Sequence, residues 1–461
     1  MSDIATSTAE SQQRVIRKTA LRLIPVMALL YFINYVDRVN VGFAALTMNA
    51  DLGLTATMYG LGAGLFFIGY FLFEVPSNLA LHRFGARIWI TRIVVTWGLV
   101  AAAMSFVQGP TSFYALRVLL GIAEAGFFPG MILYLTFWFP RRERAKMTSL
   151  FYAALPLSTV LGAPISTWLI SHGSNVLGVT GWRFMYLVEG IAAVALGVVA
   201  YKFLVDRPEK AKWLTESERT WLSKTIAAED AQATAGQRHG LRRTLVNPRV
   251  LTLSLIYFGI VFGLYAIGFF LPQMIQGFQQ QFGTKFSVME IGLITAVPYA
   301  TATVAMLLWS RHSDRTGERI WHVALPAFLG ATAVAVSMHL GSPLLTMVGI
   351  TITAVGIFSA VPALWQLPSL FLAGPAAAAG IGLINSIGNL SGFLGPYLTG
   401  WLRDSTGNFQ ASMYVVAAFM TLSGIVVLIL GKRLRTPSVA PEGTAQTPPP
   451  AGRLAHAHNP S

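Results

Sequence analysis

Charged residues are scarce in this sequence, and cysteine is absent. Only 11% of the 461 residues are charged, whereas 54% are hydrophobic. A soluble domain carries roughly 25% charged residues, because its surface must be solvated by water. Much of the surface of this protein is therefore expected to face lipid. The absence of cysteine excludes disulfides and thiol chemistry.

The signatures of common enzymes are missing as well. The sequence has no His and Cys spacing typical of a metal site, no nucleophile–base set and no glycine-rich phosphate loop. We therefore predict that the protein is not an enzyme and has no cofactor and no metal. A soluble enzyme is the class of protein that the composition argues against most strongly.

Twelve segments are long and apolar enough to cross a bilayer, which takes about 20 mainly apolar residues. The first is too long for a signal-peptide core and lacks an obvious cleavage site, so we interpret it as a retained span. We number the segments spans 1 to 12, at approximately 21–46, 57–80, 88–107, 112–138, 146–171, 183–205, 250–276, 288–309, 321–339, 343–371, 377–402 and 410–431. The sequence thus predicts an all-α membrane protein with twelve transmembrane helices in two pseudo-symmetric six-helix halves.

One long, charged link divides the chain. It covers 206–249 and separates an N-terminal half, 21–205, from a C-terminal half, 250–431. The polar segment 1–20 and the proline-rich segment 432–461 are typical of disordered tails.

The distribution of basic residues predicts the orientation. Of 33 Lys and Arg, 28 lie in the tails, in the links that follow even-numbered spans, or at the adjoining ends of the spans. Basic residues concentrate in cytoplasmic links, so we predict a protein of the inner membrane with both termini in the cytoplasm. The same distribution accounts for the net charge of +14 without a nucleic-acid partner.

The two halves repeat a short motif. The segment 82–87 (HRFGAR) after span 2 matches 314–319 (DRTGER) after span 8 at an offset of 232 residues, and this offset also places Pro164 onto Pro396. Two matches at corresponding places indicate a duplication. In transporters built from such repeats, the substrate site lies between the halves near the middle of the bilayer.

Four charged side chains are predicted deep inside spans 1 and 4. They are Asp37, Arg38, Arg117 and Glu124. A charge in the hydrocarbon costs about 2.5–3.5 kcal/mol on insertion scales, and such charges are usually functional. If spans 1 and 4 face one cavity, the two arginines lie at similar depth, where their planar guanidinium groups suit a carboxylate. The two acids then suit proton coupling, because the charge of a buried carboxyl responds to neighbouring charges. A structural ion-pair network is the alternative.

Span 2 adds two polar side chains. Tyr70 is placed to donate a hydrogen bond to a substrate or, alternatively, to pack against its neighbours. Glu74 lies nearer the inner end, where Arg83 or Arg87 could pair with it.

The repeated loops resemble the inter-helix signature of the major facilitator superfamily, and the resemblance extends over nearly the whole chain. It implies gating roles for Arg83, Gly85, Arg87, Asp314, Arg315, Gly317 and Arg319. The first copy departs from the pattern, because His82 stands where an Asp is usual.

Within that superfamily, the sequence resembles the anion:cation symporter branch and its bacterial 4-hydroxyphenylacetate, phthalate and tartrate permeases. The matching motifs are Tyr35-x-Asp37-Arg38-x-Asn40, Gly69-Tyr70, Glu74-x-Pro76-Ser77-Asn78 and Arg117-x6-Glu124-Ala125-Gly126. The resemblance implies that Asp37 and Glu124 couple protons. It also implies that Arg38, Arg117 and Tyr70 contact an anionic substrate.

The C-terminal half offers neutral polar groups. Asn385 and Asn389 lie one turn apart in span 11, and the resemblance implies that an Asn of this span contacts the substrate. Hydrogen bonding between helices is the alternative. Tyr265 belongs to an aromatic set in span 7 that suits an apolar ring but is equally compatible with packing.

We therefore predict a proton-coupled symporter that imports a small organic carboxylate, tartrate-like or aromatic, by alternating access. Its expected partners are the organic anion, protons and the lipid bilayer, and we expect a monomer. An anion exchanger or exporter on the same fold is the alternative within transport. A membrane sensor that binds the ligand without moving it is the alternative outside transport, although the sequence offers no signalling domain.

Overall fold

The computed structural model describes residues 2–235, 246–283, 285–368, 371–372 and 374–435. Their regular elements are helices, without a strand in those ranges. Spans 1 to 6 are Ser2–Leu52, Ala56–Phe84, Ala86–Ala103, Pro110–Glu124 with Phe127–Trp138, Arg141–Tyr152 with Ala154–Gly173, and Gly181–Phe203. Spans 7 to 12 are Pro248–Phe282, Val288–Thr316, Ile320–Ser337, Pro343–Leu364, Gly374–Thr406 and Gln410–Arg435.

These helices confirm the predicted twelve-span architecture. In the described ranges, eleven of the twelve spans are long and apolar enough to cross a membrane by length and composition. The remaining one, span 11, is a helix of 33 residues. Exposed large apolar side chains along the spans, such as Leu72, Val304 and Ile429, suit contact with lipid.

The N-terminal segment and the central link contain more helix than the sequence indicated. Span 1 begins at Ser2, so residues 2–20, predicted as a disordered tail, are helical. Buried Val15 and Ile16 continue the apolar face of span 1 below the predicted boundary, which explains the extension. The central link contains the helix Glu216–Ala235. The last 26 residues of the predicted C-terminal tail, 436–461, lie outside the described residues.

The central helix packs beside the N-terminal half. Its Glu218 accepts a hydrogen bond from Lys18 at 2.8 Å, and its Glu229 accepts one from the backbone N–H of Arg141 at 2.9 Å. Hydrogen bonds from Lys18 and Thr215 lower the pKa of Glu218, so this carboxylate remains charged near neutral pH.

Contacts between the halves follow the sequence repeat. Span 2 packs on span 11, and its counterpart, span 8, packs on span 5. A Cβ added at Gly60 would lie 2.2 Å from the backbone oxygen of Pro396, and one added at Gly292 would lie 2.0 Å from Oγ1 of Thr167. Gly60 and Gly292 are also 232 residues apart. Glycine at both positions therefore permits the close approach of the halves.

The halves are joined at the ends of the spans that the positive-inside distribution predicts to face outside, which we call the outer ends. Asp404 of span 11 accepts hydrogen bonds from the backbone N–H groups of Ala56 and Thr57, at 3.1 and 2.7 Å. Asn49 of span 1 donates to Gln273 of span 7 at 3.2 Å. We call these contacts the outer seal. Beside the seal lies a polar cavity of about 250 Å³.

Candidate functional site

A buried ion pair joins spans 1 and 4. The Arg38 guanidinium donates through Nη2 to Oε1 of Glu124. The Glu124 side chain is 1% exposed and that of Arg38 is 12% exposed. Two of the four predicted deep charges are therefore direct partners.

A break in span 4 follows Glu124 immediately. The helix Pro110–Glu124 ends there, and Gly126 adopts a left-handed backbone with φ +83° before the helix resumes at Phe127. A Cβ at Gly126 would also lie 2.4 Å from Oγ of Ser77. Glycine is thus required twice over, by the backbone angle and by the close approach of span 2. The carboxylate stands at the C-terminal end of a half-helix, where the helix dipole disfavours negative charge, and Arg38 offsets that cost.

Phe66 of span 2 stands beside both arginines. The centroid of its ring is 5.3 Å from Cζ of Arg38 and 5.1 Å from Cζ of Arg117, within the range of a cation–π interaction. The sequence-based expectation that the two arginines lie at similar depth agrees with this arrangement.

Arg117 is completely buried. Its guanidinium donates to the backbone oxygens of Gly62 and Ala63 at 3.3 and 3.2 Å. Its Nη1 has no hydrogen-bond partner among the described residues. One donor of this arginine is therefore left for another acceptor, while its predicted role as a substrate ligand stays a prediction.

Aromatic side chains connect the ion pair to the C-terminal half. The Tyr70 ring lies 5.3 Å from Cζ of Arg38. The Tyr265 ring, on span 7, contacts Phe67, whose ring centroid is 6.0 Å from Cζ of Arg38, and the Tyr265 hydroxyl donates to Oδ1 of Asn389 at 3.2 Å. Asn385, one turn away, is half-buried. The structure thus gathers Arg38, Tyr70, Tyr265 and Asn389 at the boundary of the two halves.

Glu74 does not pair with Arg83 or Arg87, the partners suggested by the sequence. Among the described ion pairs it has none, although the residue is 8% exposed. Arg87 is engaged elsewhere: its Nε donates to the backbone oxygen of Tyr201 at 2.7 Å, and its guanidinium lies over the Tyr201 ring.

Asp37 forms no ion pair with Arg38 or Arg117 among the described residues. It accepts a hydrogen bond from Nε1 of Trp97 at 2.7 Å, and Nδ2 of Asn40 is 3.5 Å from its other oxygen. Asn40 also donates to Glu189 of span 6 at 2.7 Å. Sequence reasoning missed Glu189, although an acid inside a predicted span is a sufficient signal by itself.

The two copies of the repeated loop are stabilised differently. In the second copy, Arg319 pairs with Asp314 at 3.1 Å, Gly317 adopts a left-handed backbone with φ +69°, and Arg315 is exposed.

In the first copy the pattern lacks its acid, because His82 stands in the place of Asp314. Asp206, from the end of span 6, accepts from the backbone N–H of Arg87 at 3.0 Å instead, beside Gly85 with φ +86°. Arg83 lies over the Phe84 ring. A carboxylate thus supports the N-terminal end of span 3 from another part of the chain.

Comparisons with known proteins agree with the twelve-span architecture. The sequence model of the family "Major Facilitator Superfamily" matches residues 27–396. An Agrobacterium vitis protein named "Putative tartrate transporter" is 55% identical over 427 residues, which is 92% of this chain and 93% of the relative. A "Quinolone resistance transporter" of Acinetobacter baumannii is 40% identical over 423 residues, 92% of this chain and 96% of the relative.

A solved structure shows the same fold. It is that of a bacterial homologue of the human lysosomal transporter Spinster, in an inward-facing and occupied conformation. The TM-score is 0.71 at 17% sequence identity, and the match covers 89% of this chain and 96% of that one.

Proposed function

Because this chain belongs to the Major Facilitator Superfamily and is a multi-pass membrane transporter, we propose that it couples the import of a small organic carboxylate to the movement of protons. The relative named for tartrate transport supports an anionic, hydroxylated substrate. We place the protein in the inner membrane with both termini in the cytoplasm, on the ground of its basic links.

The buried Arg38–Glu124 ion pair carries the proposal. Removing one partner of a buried pair leaves an uncompensated charge, at a cost of about 3–5 kcal/mol. Arg38 can therefore leave Glu124 only if another anion takes its place and Glu124 is neutralised. A substrate carboxylate meets the first condition and a proton meets the second. Binding of the anion and binding of the proton are thus linked at one pair.

The remaining predicted ligands surround this pair. Arg117 has a free donor, Nη1, and a planar guanidinium suits a second carboxylate oxygen. Tyr70 on span 2 and Tyr265 with Asn389 on spans 7 and 11 supply neutral hydrogen-bonding groups. In this proposal the N-terminal half holds charge, and the C-terminal half selects among carboxylates.

Transport requires the outer seal to open and close around the loaded site. The seal is closed in this structure, with Asp404 on the N-terminal end of span 2. At the inner ends, we assign gating to the repeated loops. The contacts involved are the Asp314–Arg319 ion pair in the second copy and the hydrogen bond from the backbone N–H of Arg87 to Asp206 in the first.

An exporter on the same fold is the second candidate. The relative named for quinolone resistance favours it. An exporter or exchanger needs no obligatory proton at Glu124, so it predicts that Glu124→Gln changes neither counterflow nor net transport.

Proteoliposomes loaded with L-tartrate test the proposal. Glu124→Gln should keep tartrate counterflow but accumulate less tartrate than the wild type under a pH gradient, because the amide pairs with Arg38 without titrating. Arg38→Ala and Arg117→Ala should each abolish tartrate binding. Glu216→Gln, at an exposed position of the central helix, is the matched control. Accumulation by Glu124→Gln at the wild-type level would refute the coupling role.

A further inference from the structure

A second group of buried acids lies within the N-terminal half. Asp37 of span 1 is 1% exposed and Glu189 of span 6 is 6% exposed. Asn40 lies between them, with its Nδ2 at 3.5 Å from Asp37 and 2.7 Å from Glu189. The two carboxyl groups therefore share one neutral donor.

Neutral groups supply the other hydrogen bonds of this cluster. Trp97 of span 3 donates to Asp37 at 2.7 Å, and Ser166 of span 5 donates to Glu189 at 2.7 Å. Within the described residues, neither acid forms an ion pair with Lys, Arg or His. Two buried carboxylates without a cation cannot both ionise at low cost, since each is desolvated and each repels the other.

The amide of Asn40 gives an independent indication of what is bound. Asn40 is 1% exposed, yet its Oδ1 accepts no hydrogen bond from the described residues. A buried acceptor without a donor costs about 1–3 kcal/mol. A proton on one of the acids would supply an O–H donor, which Oδ1 could accept after rotation of the amide, while Nδ2 continued to donate to the other acid.

We propose that Glu189, Asn40 and Asp37 form a proton-carrying site in which the two carboxyl groups share one proton. The site is separate from the Arg38–Glu124 pair, and Glu189 is its new member. The inference rests on the proposed function, because a coupled proton has a meaning only if transport moves protons.

The surroundings connect this site to the substrate. Its charged and titratable neighbours are Glu124 on span 4 and Tyr186 on span 6, whereas spans 3 and 5 contribute the neutral Trp97 and Ser166. Asp37 also directly precedes Arg38 in span 1. When an anion draws Arg38 from Glu124, the electrostatic field at Asp37 changes. The shared proton can thereby respond to the occupancy of the anion site without touching the substrate.

The proton-to-tartrate ratio of Glu189→Gln tests the inference. Proton flux is measured with a pH-sensitive dye inside proteoliposomes, together with the uptake of labelled L-tartrate. We expect Glu189→Gln to keep tartrate counterflow and to move one proton fewer per tartrate than the wild type. Glu216→Gln should keep the wild-type ratio. An unchanged ratio in Glu189→Gln would overturn the inference.

The wild type separates this test from that of the proposed function. If the wild type moves tartrate without protons, the proposed function fails and this site fails with it. If the wild type moves protons and Glu189→Gln moves equally many, only this site is wrong. A ratio that depends on sodium, tested by replacing sodium with choline, would mean that the acids hold a metal ion and would also overturn the inference.

Infrared difference spectroscopy provides a measurement that does not need a folded Glu189→Gln. The wild type should show the carbonyl band of a protonated, buried carboxylic acid that disappears as the pH is raised. Ser166→Ala removes a hydrogen bond to Glu189 and should shift the frequency of this band. A band that is absent, or that Ser166→Ala leaves in place, would contradict a proton on this pair.

Discussion

Removal of the Asp404 carboxylate should open the outer seal. This side chain accepts three hydrogen bonds, from the backbone N–H groups of Ala56 and Thr57 and from the Thr57 hydroxyl, at 3.1, 2.7 and 2.6 Å. Ala56 and Thr57 are the first two residues of span 2, whose own N-cap, Thr55, accepts from the backbone N–H of Met58. A carboxylate from the C-terminal half thus caps a helix of the N-terminal half.

The size of the effect follows from the geometry. Loss of an N-cap costs about 0.5–2 kcal/mol, and the favourable position of the charge at a helix N-terminus contributes about 0.3–1 kcal/mol. Asp404 is largely exposed to water, which weakens the electrostatic part. We expect Asp404→Ala to destabilise the outer-closed state by about 1–2 kcal/mol, which shifts the equilibrium toward the outer-open state by about 5- to 30-fold.

Spin-label distance measurements can detect this shift, and the absence of native cysteine makes the labelling specific. We suggest labels on cysteines at two exposed positions, Gln108 in the link between spans 3 and 4 and Leu344 at the outer end of span 10. Asp404→Ala should increase the population of long distances, and Asp404→Asn should do so less, because one amide oxygen still accepts.

Asp51→Asn is the matched control for this experiment. Asp51 is also an exposed acid at an outer end, but it accepts from Trp182 of its own half at 2.6 Å. Its loss breaks no contact between the halves. Unchanged distances in Asp404→Ala, or an equal shift in Asp51→Asn, would refute the role of Asp404 in the seal.

Two further substitutions probe the boundary of the halves. Tyr265→Phe removes the donor to Asn389, and such a hydrogen bond typically contributes about 0.5–1.5 kcal/mol. Tartrate affinity, measured by calorimetry, should therefore fall roughly 2- to 10-fold. An unchanged affinity would show that Tyr265 is not part of the substrate site. Gly60→Ala places a Cβ 2.2 Å from the Pro396 backbone oxygen, so overpacking should destabilise the protein by about 1–3 kcal/mol in thermal unfolding. Gly382→Ala, with nothing within 4 Å, should have little effect, and equal losses in both variants would contradict the packing argument.

The architecture and the deep charges could be predicted from the sequence because each has a local signal. Spans follow from apolar length, and the halves follow from one charged link and a repeated motif. Asp37, Arg38, Arg117 and Glu124 stand out because charge is rare in apolar segments. The glycine pair Gly60 and Gly292 shares the repeat offset, yet only the structure shows that both glycines face the opposite half.

The partners of these charges could not be predicted. Arg117 and Glu124 lie in the same span, seven residues apart, whereas the ion pair crosses to Arg38 of span 1. Partner choice depends on the rotation of each helix against its neighbours, and on the break at Gly126, which local spacing does not encode. For the same reason, the sequence did not place Glu189 beside Asp37.

The pKa of Asp404, an exposed carboxylate at the outer end of span 11, determines whether the outer seal responds to pH. Burial raises the pKa of Asp404, but hydrogen bonds from Thr57, Thr55 and Ala56 outweigh it and lower the pKa below the usual 3.8. A group with a depressed pKa stabilises the folded arrangement above its usual pKa and loses that effect only as the pH falls through the lowered value. The outer seal is therefore insensitive to pH between about 5 and 8.

The same sign holds for Glu218 of the central helix, whose pKa is lowered by hydrogen bonds from Lys18 and Thr215. A pH dependence of transport between about 5 and 8 can then arise from acids inside the spans or from histidine. Among the described histidines, His322 is hydrogen-bonded to His312 at 2.8 Å and to Glu318 at 3.0 Å. Glu124→Gln leaves this cluster unchanged, so a pH dependence that this substitution abolishes belongs to the ion pair and not to the histidines.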